Sequence, residues 1–213
     1  MRKLIGTLAV AAVAGSAFAQ GTISVANGST SLVQQWNSFT DSSLTAVPAN
    51  AGRIQFLAAP DGTAFKPLGT MVPGGFAAMY ATLASYLAVN PGWNVYNIAA
   101  IAPVAGRFNA GTVTVSPLTP GGKIEYTVIG WTGTAASYDA AFGAYGPHEA
   151  MLGQSALFTG VATGDPTTSP PGTPGSISGT FTGLTLAPNP MPEPSALALL
   201  GMGAAAMLIF RRK

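Results

Sequence analysis

The residues that could carry out chemistry are few and widely spaced along this chain. His148 is the single histidine, and there is no cysteine. A Ser–His–acid triad would need His148, but the chain has no Gly-x-Ser-x-Gly elbow, and the residues Gly146-Pro147-His148-Glu149 are typical of a turn. One histidine without cysteine gives no zinc-site spacing, and the isolated acids form no calcium-binding loop. We therefore expect no catalytic residue, no metal site and no cofactor.

Two acids and four aromatic residues keep a carbohydrate-directed role open. A glycosidase needs two carboxyl groups, so Asp139 and Glu149 are candidates by count, although no motif selects them. Flat rings that could stack on sugars are those of Trp36, Trp93, Tyr96 and Trp131. We interpret these rings as core residues. Trp93 is the best candidate for a surface glycan contact, because Pro91-Gly92-Trp93-Asn94 is typical of a turn.

These side chains must be positioned by a chain of short β-type runs, punctuated by 27 Gly and 17 Pro. Alternation of polar and apolar residues predicts strands, at 22–26, 53–57, 112–116, 123–131, 157–161 and 178–186. Turn residues separate 112–116 from 123–131, so we expect these two to be neighbouring antiparallel strands. Six to nine strands over about 165 residues predict a mainly β fold, an antiparallel β-sandwich of Ig-like or jelly-roll-like type.

Two kinds of segment depart from the strand pattern. Apolar residues between Phe76 and Leu87 recur every three or four positions, and Asn90-Pro91-Gly92 follows as a stop signal. This spacing predicts a three-turn helix, with an apolar loop as the alternative. Short helical turns are also predicted at 137–142 and 147–152. Residues 164–175 contain four prolines and three glycines, which predicts an exposed linker or long loop.

The charge distribution excludes a nucleic-acid partner. Five of the nine Lys and Arg residues lie at the two chain ends, and residues 20–190 contain four cations against six acids, a net charge of −2. Binding to phosphates needs clustered cations, which four scattered ones do not provide. The basic residues at the ends instead indicate membrane topology.

The first residues have the layout of a signal peptide. Arg2 and Lys3 precede an apolar run from Leu4 to Ala14, and Ala17-Phe18-Ala19 offers the small-x-small pattern of a cleavage site. We predict a signal peptide over 1–19, removed by signal peptidase so that the mature chain begins at Gln20. An uncut N-terminal anchor is the alternative.

The last residues have the length and flanks of a membrane-spanning segment. Ser195 to Phe210 is a run of sixteen uncharged residues, about 24 Å long as a helix. This is slightly shorter than a ~30 Å hydrocarbon core, but flanking residues can extend it. The cations Arg211, Arg212 and Lys213 would hold the end in the cytoplasm. The sequence thus predicts a transmembrane helix over 195–210, with residues 20–190 exported as one domain.

Pro192-Glu193-Pro194, followed by a short apolar helix and an Arg-rich end, resembles the PEP-CTERM sorting signal of Gram-negative bacteria. The resemblance spans 192–213 within a tail that begins at Met191. It implies handling by exosortase, a membrane-embedded processing enzyme found in bacteria that often make exopolysaccharide. A GPI signal would end in its apolar tract rather than in Arg-Arg-Lys, and an ordinary permanent anchor has no need of Pro-Glu-Pro.

The middle of the chain more loosely resembles the β-rich regions of exported PEP-CTERM proteins from planctomycete- or verrucomicrobium-like bacteria. Residues 21–27 and 108–115 carry this resemblance, which implies a sandwich without a known activity. We expect a non-enzymatic protein that is anchored in the inner membrane before processing and then lies at the cell surface or in the extracellular matrix. Exopolysaccharide is a candidate partner. The alternative is a secreted glycan-binding or glycan-active hydrolase.

Overall fold

The computed structural model describes residues 20–116 and 118–190. The predicted signal peptide and the tail from residue 191 lie outside this range. The described part is mainly β, as predicted, with thirteen strands and two short helices. The helices are α1 (Leu83–Ala88) and α2 (Tyr138–Tyr145). The strands are β1 (Gly21–Ala26), β2 (Val33–Trp36), β3 (Leu44–Ala46), β4 (Gly52–Pro60), β5 (Gly69–Val72), β6 (Gly75–Ala78), β7 (Asn94–Ala100), β8 (Asn109–Val115), β9 (Lys123–Thr132), β10 (Leu152–Gln154), β11 (Phe158–Ala162), β12 (Gly175–Ser176) and β13 (Leu184–Leu186).

The centre of the fold is a five-stranded sheet built around β4 and β9. The order is β10–β9–β4–β7, and β11 also pairs with β9. Strands β4 and β9 are antiparallel from Gly52 opposite Thr132 to Pro60 opposite Ile124. Both strands are buried along nearly their whole length. Because alternate side chains point to opposite faces, this burial requires a covering layer on each face of the sheet.

The two faces of the central sheet pack against different partners. On one face, Phe56, Tyr126 and Val128 join a core with Ile23 and Val113 from the three-stranded sheet β12–β1–β8. On the other face, the central strands contribute Leu57, Ile129 and Trp131 to a second core. That second core is completed by aromatic residues from the β5–β6 hairpin and the two helices: Phe76, Tyr86, Tyr138 and Tyr145.

A third sheet, β13–β2–β3, brings the end of the described chain back to its beginning. Strand β13 is parallel to β2, with Leu184 opposite Val33. Immediately after β13, Ala187 forms a bridge with Leu152 at the start of β10. The last strand therefore joins this sheet to the edge of the central one.

The prediction that 112–116 and 123–131 are neighbouring strands is wrong. Strand β8 pairs with β1, and β9 pairs with β4, β10 and β11. In β8 the valines 113 and 115 are buried while Thr112 and Thr114 are exposed, so this strand has one buried face and belongs to an outer layer. Strand β9 is buried on both faces and lies in the centre.

The three-turn helix predicted between Phe76 and Leu87 is also wrong over its first half. Gly75–Ala78 forms β6, opposite β5, and α1 begins only at Leu83. Long-range pairing overrides the local periodicity here, since the backbone N–H of Phe76 donates to the carbonyl of Pro188. The predicted stop at Asn90 does end the helix: its side-chain amide donates to the carbonyl of Tyr86, at 3.0 Å.

Three other segments complete the comparison with the sequence patterns. The predicted turn at 137–142 is the start of α2, which Ser137 caps by accepting from the N–H of Ala140. Residues 147–152 form turns and then enter β10 instead of a helix. Of the predicted strand 178–186, only Leu184–Leu186 is extended, because residues 178–180 form a turn.

The proline- and glycine-rich segment 164–175 is exposed over 166–171 but fastened at both ends. Gly164 exchanges two backbone hydrogen bonds with Thr22, and Gly175 pairs with Ile23. A side chain at Gly175 would meet the carbonyl oxygen of Ala162 at 2.0 Å, so glycine is required for this close approach. The segment is thus a long loop anchored on β1.

Candidate functional site

The structure places few of the predicted sorting residues. Gln20 is the first described residue, and its side chain lies 3.4 Å from the hydroxyl of Ser116. The remaining cleavage-site residues Ala17 and Ala19 lie outside the described range. So do the motif residues 192–194 and the cations 211–213. What the structure does show is how the folded domain leads into the motif.

Residues 187–190, here called the exit segment, are held against the domain by backbone hydrogen bonds. Ala187 and Leu152 exchange bonds of 2.9 and 3.0 Å. The carbonyl of Pro188 accepts from the N–H of Phe76 at 2.9 Å and from the hydroxyl of Tyr145 at 3.1 Å. A side chain at Gly75 would meet that same carbonyl oxygen at 2.0 Å. The chain is therefore fixed to the domain almost to the point where the motif begins.

Trp93 is not the surface residue that its turn predicts. Its side chain is 5% exposed, its indole N–H donates to the carbonyl of Ala64 at 3.0 Å, and its ring centroid lies 5.0 Å from that of Phe65. The turn exposes Pro91 and Gly92, while the indole folds back into the second core. The expected glycan contact at Trp93 is therefore wrong. Trp131 is also fully buried, in agreement with a core role.

A different aromatic residue is accessible. Phe39 lies in the polar loop between β2 and β3, is 36% exposed, and packs edge-on against His148 with ring centroids 5.6 Å apart. It lines a cleft of about 510 Å³, here called the Phe39 cleft. The lining includes residues from three other parts of the chain as well as the loop of Phe39 itself: Gln35, Asn37, Pro48, Thr132, Glu149 and Met151.

The polar groups of the Phe39 cleft differ in their availability. The amide of Asn37 donates to the carboxylate of Asp41, and the hydroxyl of Thr132 accepts from the N–H of Met151. Within residues 20–116 and 118–190, the side chains of Gln35 and Glu149 have no hydrogen-bond or ion-pair partner. An open ring beside a free amide and a free carboxylate can stack on a sugar face and bond to its hydroxyls.

The match that bears on function lies directly beyond the exit segment. Residues 192–213 match the PEP-CTERM protein-sorting motif. This motif marks an exported protein that is sorted at the membrane and processed by an exosortase-type enzyme. No curated protein and no solved structure matches the chain.

The PEP-CTERM tail follows Pro190 after a single residue, Met191. None of the helices in the described ranges is long and apolar enough to cross a bilayer. The predicted spanning segment 195–210 lies outside those ranges.

The two acids considered for hydrolysis lie in different surroundings. Glu149 lines the Phe39 cleft, but Asp139 does not. The carboxylate of Asp139 accepts from the N–H of Leu83 at 2.7 Å and joins the starts of the two helices.

Burial raises the pKa of a third acid, Glu125, and the nearby charge of Asp61 adds to the effect. Its Oε1 atom is buried without a hydrogen-bond partner in the described part of the chain.

Sequence reasoning missed Phe39 because a phenylalanine has no larger flat ring or polar edge that singles it out, as the tryptophans do, for stacking on sugars. A signal was present: Phe39 is the one aromatic residue in the polar run from Asn37 to Ser43. A large apolar side chain in such a loop has no neighbouring apolar residue to pack against locally, which favours exposure.

Proposed function

We propose that this chain is an exported cell-surface or extracellular-matrix protein that acts without catalysis. It is held in the inner membrane by residues 195–210 and then sorted through its PEP-CTERM tail. The observation that carries the proposal is the match of residues 192–213 to the sorting motif. The fastening of the exit segment supports it, because the hydrogen bonds of Ala187 and Pro188 hold the chain to the domain directly before the motif.

The order of events follows from the two chain ends. Signal peptidase cuts after Ala19 during export, the apolar segment lodges in the inner membrane, and the three terminal cations stay in the cytoplasm. The prolines of Pro192-Glu193-Pro194 disfavour helix and keep Glu193 accessible at the outer membrane–water boundary. An exosortase-type enzyme then cuts near 192–195, and the domain passes to the cell surface.

Mass spectrometry of surface protein from exosortase-containing cells tests this order of events. We expect the surface form to begin at Gln20 and to lack Lys213, whereas Glu193→Ala should leave a form in the membrane that begins at Gln20 and retains Lys213. Glu149→Ala removes an acid from the domain instead and serves as the matched control, which should be sorted normally. Surface protein that retains Lys213 would overturn processing.

We further infer a β-sandwich of Ig-like or jelly-roll-like type, supported by the packing of the sheet β12–β1–β8 against the central sheet. A planctomycete- or verrucomicrobium-like source rests on the loose resemblance of residues 21–27 and 108–115. An exosortase gene in the same genome is expected, and its absence would reduce the tail to an ordinary anchor.

Glycan binding at the Phe39 cleft is the second candidate function, with exopolysaccharide as the ligand. The exposed ring of Phe39 beside the free side chains of Gln35 and Glu149 favours it. If a sugar face stacks on the ring as strongly as a second aromatic ring does, the contact contributes about 0.5–1.5 kcal/mol. Phe39→Ala should then weaken polysaccharide binding roughly twofold to tenfold. Isothermal titration of the exported protein measures this loss.

Leu44→Ala is the matched control, because Leu44 is also exposed and apolar but does not line the cleft. Equal affinities of the two variants and the natural protein would exclude the cleft as the binding site. Turnover of a polysaccharide that disappears in Glu149→Gln would instead favour the glycan-active hydrolase.

A further inference from the structure

The charged side chains at the Phe39 cleft are acidic. Glu149 lines the cleft and is exposed, and its carboxylate has no ion-pair partner within residues 20–116 and 118–190. Asp41 is tied to the cleft because its carboxylate accepts from the amide of the lining residue Asn37, at 2.8 Å. Hydrogen bonds from the N–H of Ser43 and from that amide lower the pKa of Asp41, so this carboxylate stays charged at neutral pH.

No cation of the described residues balances these acids at the cleft. Residues 20–190 contain four cations, Arg53, Lys66, Arg107 and Lys123, and none of them lines it. A concave surface with charges of one sign raises the local concentration of ligands with the opposite charge. A ligand of the same sign loses affinity there. The Phe39 cleft therefore favours a cationic ligand over an acidic one.

The ring of Phe39 narrows the kind of cation. An aromatic face attracts an ammonium group through its quadrupole, and it also packs against a flat apolar surface. His148 supports this ring, with the two ring planes at 77°. The free amide of Gln35 lines the same cleft and can bond to hydroxyl groups. A lysine side chain would bring only an ammonium group, whereas an amino sugar also brings a flat face and hydroxyls.

The backbone that presents Glu149 to the cleft has an uncommon conformation. His148 has φ +64, in the left-handed region that favours glycine. The N–H of Glu149 donates to the carbonyl of Ala144 at 2.9 Å. The chain therefore turns sharply after α2 and continues through Glu149 to Met151, which both line the cleft. Backbone strain of this kind is concentrated at functional sites, so the turn supports a role for Glu149.

We propose that the Phe39 cleft binds a polysaccharide whose sugars carry free amino groups, such as a deacetylated hexosamine polymer. The ring of Phe39 stacks on a sugar face, the amide of Gln35 bonds to its hydroxyls, and the carboxylate of Glu149 pairs with the ammonium group. This inference rests on glycan binding as the second candidate function. It adds the class of sugar, which is cationic rather than neutral or acidic.

Three oligosaccharides of equal length test the preference on the natural protein. Tetramers of glucosamine, N-acetylglucosamine and galacturonate are cationic, neutral and acidic in mildly acidic buffer, and isothermal titration measures their affinities for the exported protein. We expect the glucosamine tetramer to bind roughly twofold to fivefold more tightly than the neutral one, as an exposed ion pair provides. The galacturonate tetramer should bind most weakly, and added salt should reduce the preference.

Two substitutions that each remove one negative charge assign the preference to the cleft. Glu149→Gln should make the glucosamine and N-acetylglucosamine tetramers bind equally. Asp61→Asn is the matched control, because Asp61 follows β4 whereas the cleft residue Ala51 precedes it. An asparagine oxygen can still accept the bond that Asp61 receives from the N–H of Gly160, so the preference should stay. Phe39→Ala should weaken the binding of both tetramers.

Each contrary result has a distinct meaning. If no tetramer binds, glycan binding at the cleft is wrong and this inference falls with it. If the tetramers bind equally, or if Glu149→Gln leaves the preference unchanged, the cleft can still bind glycans but the cationic class is overturned. If tetralysine binds as tightly as the glucosamine tetramer and Phe39→Ala weakens neither, the cleft recognises charge alone and the sugar is overturned in favour of a basic peptide.

Discussion

Asn27 illustrates at the residue scale how one buried amide connects two loops, the one between β1 and β2 and the one between β7 and β8. Its side chain is 4% exposed; the Nδ2 group donates to the carbonyls of Ser31 and Gly106 at 2.7 and 2.9 Å, and Oδ1 accepts from the N–H of Phe108 at 2.7 Å. In the sequence, Asn27-Gly28 indicates only a turn. The amide is needed because it supplies two donors and one acceptor to the same place.

Asn27→Asp should destabilise the domain by about 2–4 kcal/mol, because a carboxylate leaves two buried carbonyls without a donor. Urea unfolding at neutral pH measures the change. Asn109→Asp is the control: the side-chain oxygen of Asn109 accepts from the N–H of Gly111 at an exposed site, a bond that a carboxylate also makes. An equal loss in both variants would contradict the proposed role of the Asn27 amide.

At the scale of elements, the exit segment shows how a hairpin holds a chain end. The carbonyl of Pro188 lies where a side chain at Gly75 would have to be, and Gly75 has φ +151. Neighbouring Gly74 also has a positive φ, of 90, but a side chain there would meet only ordinary contacts. An alanine at position 74 would therefore meet backbone strain alone, whereas an alanine at position 75 would also overlap the carbonyl oxygen of Pro188.

Gly75→Ala should break the bond from Phe76 to Pro188 and release the exit segment, since the new methyl group overlaps the carbonyl oxygen. Hydrogen exchange of the Phe76 amide should become faster. Gly74→Ala carries backbone strain of roughly 1–2 kcal/mol but should keep the Phe76 amide protected. Protection of Phe76 in both variants would show that the exit segment is not held by this contact.

At the scale of the whole molecule, the second core depends on tyrosines that must stay neutral. Burial raises the pKa of Tyr86 to about 12 and raises the pKa values of Tyr138 and Tyr145 above the usual range. On the other face of the central sheet, burial also raises the pKa of Tyr126 to about 12. In the unfolded chain the pKa of tyrosine is about 10, so each of these pKa values is higher in the folded state. Burial of the neutral tyrosines therefore stabilises the fold fully below about pH 10, and this contribution is lost as the pH rises through the folded-state pKa.

The unfolding free energy should therefore fall steeply between about pH 10 and pH 12, by up to ~1.4 kcal/mol per pH unit for each of these tyrosines. Urea unfolding at about pH 8, 10 and 11 measures the unfolding free energy, and tyrosinate absorbance of the folded protein measures the ionisation of the tyrosines. Tyr126→Phe should reduce the slope by one tyrosine's share. Constant stability while all six tyrosines titrate near ~10 would contradict the burial effect.

Much of the secondary structure and the sorting signal could be predicted because their causes are local. Alternation along β1 and β8 follows from one buried face, and the longer apolar runs of β4 and β9 follow from burial on both faces. The PEP-CTERM tail is a contiguous motif of 22 residues, 192–213. The Phe39 cleft could not be predicted, because it joins Gln35 to Glu149 across residues far apart in the chain.

The sequence by itself determined the sorting motif, because the pattern of prolines, apolar residues and terminal cations over 192–213 lies in one continuous stretch. The tertiary structure alone decided which strands pair, because β8 and β9 alternate alike yet differ in whether one face or both are covered. It also decided that Phe76 lies in a strand and that Trp93 is buried while Phe39 is exposed. Those outcomes depend on contacts between residues far apart in the sequence, such as Phe76 with Pro188. The free energy of such contacts outweighs the local helix or strand propensity of the residues.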